Sequence, residues 1–116
     1  MSTFASEIRY IAEMANKKVE DDIKQLLGVE LEDKIREECL EMARQGMLRA
    51  TIGCSYSALP QFLNIKKVNI SSKYLREHTS QLKSFVTKLL HKLGLTGNVT
   101  ASDKYLTIEV SWSRND

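Results

Sequence analysis

Apolar residues recur at two different spacings along this chain, and the change between them indicates the class of fold. Over residues 3–45 they recur at steps of three and four, which is the spacing of an amphipathic helix. Over residues 48–56 they alternate one by one with polar residues, which is the spacing of a half-buried strand. The segment YLTIEVSW, residues 105–112, alternates in the same way. Helices followed by such strands predict an α+β fold.

Two helices are predicted in the first part of the chain, over residues 3–27 and 30–45. Gly28 offers a left-handed residue that would end the first helix, and Gly46 offers one that would end the second. Because the link between them is so short, they form either a helical hairpin or one long bent helix. Their apolar stripes consist of Ile8, Ile11, Ala12, Ala15, Val19, Ile23 and Leu26 in the first helix, and Leu31, Ile35, Cys39, Met42 and Ala43 in the second.

After the strand at 48–56 the sequence predicts a short helix, a long helix and a hairpin, although K-K-V-N-I at 66–70 could instead be a short strand or an ordered loop. Pro60 suits the first turn of the short helix. An amphipathic helix follows over residues 71–93, with Gly94 as its left-handed stop. A tight turn at 102–104 joins the last two strands. We therefore predict a small three-stranded antiparallel sheet, covered on one face by the long amphipathic helix and preceded by the N-terminal helical hairpin or long bent helix. The apolar row of the last strand is Leu106, Ile108, Val110 and Trp112.

Length and composition indicate one globular unit. The chain has 116 residues, of which 42% are hydrophobic and 28% are charged, as in ordinary folded domains. We expect the N-terminal helical region, 1–45, and the α+β core, 46–116, to form one domain together. No apolar run reaches the roughly 20 residues that span a bilayer, and the acidic, amphipathic start does not resemble a signal peptide. We expect reduced cysteines, no membrane partner and a cytoplasmic or other intracellular location, in a host cell or virion if the protein is viral.

The motifs that resemble catalytic or cofactor sites are weak. The stretch G-C-S-Y-S at 53–57 resembles a nucleophile elbow, but the chain is too short for the large α/β sheet which that motif requires. Cys54 as a nucleophile needs a nearby base, and His78 and His91 lie 13 positions apart on one helix. No Cys or His spacing clusters metal ligands, and no glycine-rich phosphate loop is present. We expect no enzymatic activity, no cofactor and no metal.

Charge is distributed unevenly along the chain. Residues 1–45 carry 7 Lys or Arg and 11 Asp or Glu, a net of −4, whereas residues 60–95 carry 7 and 1, a net of +6. One interpretation is that these acidic and basic regions attract each other or are simply solvated. The other is that the basic segment binds an acidic partner or nucleic acid. The nucleic-acid interpretation resembles a winged helix, with the short and long helices as helix-turn-helix and the last hairpin as wing. Its candidate residues are Lys66, Lys67, Lys73, Arg76, Lys83, Lys88 and Lys92.

The N-terminal stripe is longer than a three-stranded sheet needs for its own core. We therefore expect a protein partner or self-association, as a homodimer formed through the N-terminal helices. The interface candidates are Ile8, Ile11, Val19 and Ile23, together with Trp112, because tryptophans often anchor interfaces. The leading hypothesis is a non-enzymatic protein-binding or assembly module. The alternative is a nucleic-acid-binding protein that uses the basic segment.

Three segments resemble a known layout. They are A-R-Q-G-M-L-R-A-T-I at 43–52, the long helix ending L-G-L at 93–95, and the closing Y-L-T-I-E-V-S-W at 105–112. Together, over residues 40–113, they resemble small uncharacterised proteins of tailed phages and large DNA viruses, which commonly end in a strand of the form L-x-I-x-[IV]-x-W. The resemblance implies a viral accessory or structural role exercised by binding, and it implies no active site.

Overall fold

A computed structural model describes residues 3–63, 65 and 72–113, and its architecture is α+β, as predicted. Lys66 and Lys67 of the predicted basic surface lie outside the described residues. The elements in chain order are helix α1 (Phe4–Ile23), a turn of π-helix (Lys24–Gly28), helix α2 (Val29–Arg44), strand β1 (Arg49–Ser55), helices α3 (Leu59–Phe62), α4 (Ser72–Glu77) and α5 (Thr79–Lys92), and strands β2 (Thr96–Ala101) and β3 (Tyr105–Ser111).

Helix α1, the π turn and α2 follow one another without interruption, and we call residues 4–44 the N-terminal helix. Gly28 has φ −60° and ψ −49°, which is right-handed helical backbone. The prediction that Gly28 ends a helix is therefore wrong. Of the two predicted alternatives, a helical hairpin or one long helix, the structure has the long helix. The helix ends instead at Gly46, with φ 83°, as predicted.

The spacing of buried residues explains the π turn. Ile23, Leu27, Leu31 and Ile35 are all buried and lie four residues apart. Four residues exceed the 3.6 of an α-helical turn, so a regular helix would carry this stripe away from the core. A π turn, whose hydrogen bonds reach from residue i to i+5, takes up the excess. The helix therefore keeps one buried face past Gly28.

Gly28 lies at the contact between the N-terminal helix and α5. A Cβ atom at this position would lie 3.2 Å from Cγ of Lys24, in a side chain of the same helix, and 3.4 Å from Cζ of Phe85 on α5. The first distance is tight and the second is an ordinary van der Waals separation, so the approach of α5 does not by itself require glycine here.

The three strands form one antiparallel sheet in the order β1-β3-β2. Ile108 in the central strand pairs with Ile52 on one side and Val99 on the other, and all three side chains are buried. The predicted closing hairpin and its pairing with the earlier strand are confirmed. Trp112 follows β3, where it is half-buried against the core and its backbone N–H donates to the Leu48 carbonyl at 3.0 Å.

The predicted long helix over residues 71–93 is broken into α4 and α5 at His78. There the backbone has φ −125° and ψ 39°. The His78 ring Nδ1 donates to the Tyr74 carbonyl at 2.8 Å, and the His78 backbone N–H donates to Leu75 instead. The side chain thus takes the carbonyl that a continuous helix would give to the backbone.

Helix α5 ends at Gly94, with φ 74°, as predicted. Leu95 N–H donates to the Leu90 carbonyl at 2.9 Å, and Gly94 N–H donates to the His91 carbonyl at 3.0 Å, which together form a Schellman motif. The helix contacts β2 and α1, and its buried residues belong to the same core as those of the sheet and the N-terminal helix. That α5 covers one face of the whole sheet stays a prediction.

Candidate interaction surface

The first part of the N-terminal helix extends beyond the core. Residues 4–18 are all exposed, whereas residue 23 is fully buried. These fifteen residues span about 22 Å at the rise of an α-helix. The radius of gyration is 16.1 Å, whereas a compact chain of this length has about 13 Å.

One side of the extension is a continuous apolar row. Phe4, Ile8, Ile11 and Ala15 follow one another at steps of four, three and four, and we call these residues the exposed row. Phe4 is 75% exposed, Ile8 49% and Ile11 65%. Single apolar side chains on a surface are ordinary, whereas this row continues over three turns of one helix.

The ends of the extension are well defined by local interactions. Thr3 caps the helix, since its Oγ1 accepts a hydrogen bond from the Ser6 N–H at 3.1 Å. At the other end, Val19 is half-buried and packs against the core, and Ile23 is fully buried within it. Helix formation over residues 4–18 therefore continues from a packed segment, which removes the cost of nucleating it alone.

Polar contacts with α5 fix which way the exposed row points. Gln81 Nε2 donates to Asn16 Oδ1 at 2.7 Å, and Lys88 Nζ donates to Glu20 Oε2 at 2.9 Å. At 3.6 residues per turn, Asn16 and Glu20 lie roughly 130° around the helix axis from the centre of the exposed row. The row therefore does not face α5.

The acidic and basic regions of the chain contact each other at this junction. Besides the Glu20–Lys88 pair, Lys92 Nζ lies 3.0 Å from Glu32 Oε1. Burial opposes ionisation of Glu20, but hydrogen bonds from Ser84 and Lys88 outweigh it, so the pKa of Glu20 is lowered. The hydrogen bond from Lys92 lowers the pKa of Glu32. These contacts support the interpretation in which the two halves attract each other.

The structure thus places the predicted phosphate-binding residues in different surroundings. Lys88 and Lys92 contact carboxylates of the N-terminal helix, and Lys73 Nζ lies 4.0 Å from Glu77 Oε1 on α4. Lys83 is exposed on α5, while Arg76 lines an open cavity. Within the described residues these cations do not form a surface free of carboxylates.

The five predicted interface residues also differ in position. Ile8 and Ile11 lie in the exposed row, Val19 lies at its border with the core, and Ile23 is inside the core. Trp112 is half-buried after β3. Phe4 is not among the predicted interface residues, although its step of four before Ile8 matches the spacing of the row.

The candidate nucleophile and bases have ordinary structural surroundings. Cys54 is half-buried, and burial raises the pKa of its thiol, which disfavours the reactive thiolate. The His78 ring is held by the Tyr74 carbonyl, and His91 is exposed on the last turn of α5. In the part of the chain that the structure describes, no three His, Cys, Asp or Glu side chains group as metal ligands.

An open polar cavity of about 330 Å³ lies where β1 and β3 meet α4. Ser55 Oγ, at its wall, accepts a hydrogen bond from the Ala58 N–H at 3.3 Å, which stabilises the turn after β1. The serines of the G-C-S-Y-S stretch thus belong to a turn beside a polar depression. The lining residues are Ser55, Tyr56, Ser57, Ser72, Arg76, Asp103, Lys104 and Tyr105.

Comparisons of the chain with protein-family models, with curated proteins and with solved structures find no match. The resemblance to proteins of phages and large DNA viruses stays a prediction. Among the described helices, none is long and apolar enough to cross a membrane.

Proposed function

We propose that this protein is a non-enzymatic assembly module that self-associates through the exposed row. The observation that carries the proposal is the extension itself, in which fifteen helical residues present Phe4, Ile8 and Ile11 to solvent. Burying apolar surface contributes about 25 cal/mol per Å². A second protein surface on this row would gain that free energy, which the chain's own core does not use.

The row has the make-up of an interface centre. Its side chains are aliphatic or aromatic, and Phe4 at its tip is the most exposed large side chain of the row. The nearest flanking residues on one side, Ala5 and Ala12, are small, which permits close approach of another helix. Depletion of charge at the centre with polar residues around it is typical of protein–protein interfaces.

The proposal is tested by comparing two double variants in light scattering. Ile8→Glu with Ile11→Glu places two charges in the row, while glutamate keeps helix propensity high. The matched control, Arg9→Gln with Lys17→Gln, changes the net charge by the same −2 on other sides of the helix. We expect a monomer for the first variant and the mass of the unmodified chain for the second.

Equal masses for both variants would contradict a role for the row in assembly. Circular dichroism of each variant checks that the helix and sheet are retained, so a change in mass reflects association. The resemblance to viral proteins adds the hypothesis that the assembly is a viral structural or accessory one. No contact described above favours the nucleic-acid alternative over this proposal.

A further inference from the structure

We infer that the exposed row binds the same row of a second copy in antiparallel orientation, with Phe4 against Ala15 and Ile8 against Ile11 of the other copy. This inference rests on the proposed function and specifies its partner and geometry. From Phe4 to Ala15 the row has three large side chains followed by one small side chain. Antiparallel pairing sets the aromatic ring against the smallest side chain, so the layers fill evenly. A two-fold axis between Arg9 and Tyr10 relates the copies, which makes the contact isologous.

Parallel pairing of the same rows packs less well. It would set Phe4 against Phe4 and Ala15 against Ala15, leaving one layer overfilled and one empty. The next step of three leads from Ala15 to Lys18 on the same side of the helix. Parallel helices would therefore bring Lys18 against Lys18, and like charges facing each other are destabilising. Antiparallel pairing places Lys18 beyond Phe4 of the second copy instead.

The position of the core also fits antiparallel pairing. The paired segments cover residues 4–15, about 18 Å of helix, and the first apolar side chain of the helix that packs against the core is Val19. Two copies therefore overlap along their extensions with the two cores at opposite ends. On one flank of the pair, Ala5 faces Ala12 of the other copy, so the helix axes can approach closely.

The size of this interface sets the expected affinity. Four side-chain layers from each helix make a small contact, below the roughly 1,200 Å² of standard specific interfaces. We expect a dissociation constant on the order of micromolar. The fraction of chains in the dimer should therefore depend on the protein concentration.

Single cysteines joined by a short bismaleimide distinguish the orientations. The variants are Phe4→Cys and Ala15→Cys, both at exposed positions. In the antiparallel pair two Phe4 positions lie about 16 Å apart along the axis, beyond a short linker. We expect no cross-linked dimer from either variant alone and a heterodimer, identified by mass, from their equimolar mixture. The unmodified chain, with half-buried Cys39 and Cys54, is the control for background reaction.

Cross-linked homodimers from the single variants would show parallel pairing and overturn the inference, while leaving the proposed function standing. An unmodified chain that sediments as a dimer but gives no cross-link in any sample would also overturn it. A chain that is monomeric at all concentrations would refute the proposed function itself. The same mixture of cysteine variants, prepared with chains that also carry Ile8→Glu and Ile11→Glu, should give no cross-linked heterodimer. That loss would show that cross-linking depends on the exposed row.

Discussion

The Nζ atom of Lys88 lies 2.9 Å from Oε2 of Glu20, so the basic helix α5 is bound to the acidic N-terminal helix of the same chain. Together with the hydrogen bond between Gln81 and Asn16, this pair attaches residues 16–20 of α1 to α5. The exposed row lies on the N-terminal side of this attachment. The internal charge contacts therefore orient the surface that we propose for assembly.

The Glu20–Lys88 pair predicts a defined loss of stability in acid. Because the folded-state pKa of Glu20 is lowered from its ordinary 4.5, its contribution is fully present above about pH 4.5 and is lost as pH falls through the lower, folded value. Glu20→Gln should reduce the free energy of unfolding by about 0.5–1 kcal/mol at pH 7, since the pair is partly exposed.

Urea unfolding at pH 7 and pH 3 measures this effect. The difference between the unmodified chain and Glu20→Gln should shrink at pH 3. Glu13→Gln is the matched control, because Glu13 is exposed on the same helix and makes no ion pair within the described residues. An unchanged difference at both pH values would show that the carboxylate charge is not what stabilises this contact.

Replacing Gly97 in β2 by alanine should lower the stability of the fold. A Cβ atom there would overlap the backbone carbonyl oxygen of Glu109 on the paired strand. We expect Gly97→Ala to destabilise the fold by about 1–3 kcal/mol, as overpacking does. Gly53→Ala is the control in β1, where the nearest atom to the new Cβ would be 3.9 Å away. Thermal unfolding should show a large loss for the first variant and little change for the second.

Two isoleucines of α1 should respond differently to the same truncation. Ile23 is fully buried and Ile8 is half exposed. Ile23→Ala should lower the free energy of unfolding by about 2–5 kcal/mol. Ile8→Ala should change it by less than about 0.5 kcal/mol at concentrations where the chain is monomeric, yet weaken association. Equal losses in dilute solution would mean that the row is covered within one chain.

The carboxylates around α5 predict weak affinity for nucleic acid. Since Lys88 and Lys92 contact Glu20 and Glu32, we expect no increase in mass with a short mixed-sequence duplex at moderate salt. The triple variant Lys83→Glu, Lys88→Glu, Lys92→Glu is the control. A duplex-dependent mass increase that fades with salt and disappears in that variant would favour nucleic-acid binding.

Local patterns in the sequence predicted the helical and strand segments because each depends on neighbours a few residues apart. Alternation identified β1 and β3, and left-handed glycines identified the helix ends at Gly46 and Gly94. The helical backbone of Gly28 was not predictable in this way, since Gly28 is buried within the long helix, and its neighbours there include Phe85, which is distant in sequence. The break at His78 likewise depends on one side chain displacing a backbone donor.

The candidate surface was predicted only in part. The amphipathic stripe is visible in the sequence, but periodicity treats Ile8 and Ile23 as equivalent positions. The three-dimensional packing separates them, because the core of the chain ends near Val19. The pairing of Lys88 with Glu20 joins residues 68 positions apart, so charge composition indicated attraction between the halves without identifying the partners.

The most direct test of self-association is sedimentation equilibrium of the unmodified chain over a wide range of concentrations. We expect an average mass that rises from 13.2 kDa towards twice that value, with a midpoint at a concentration on the order of micromolar. A mass that remains 13.2 kDa at every concentration would contradict self-association.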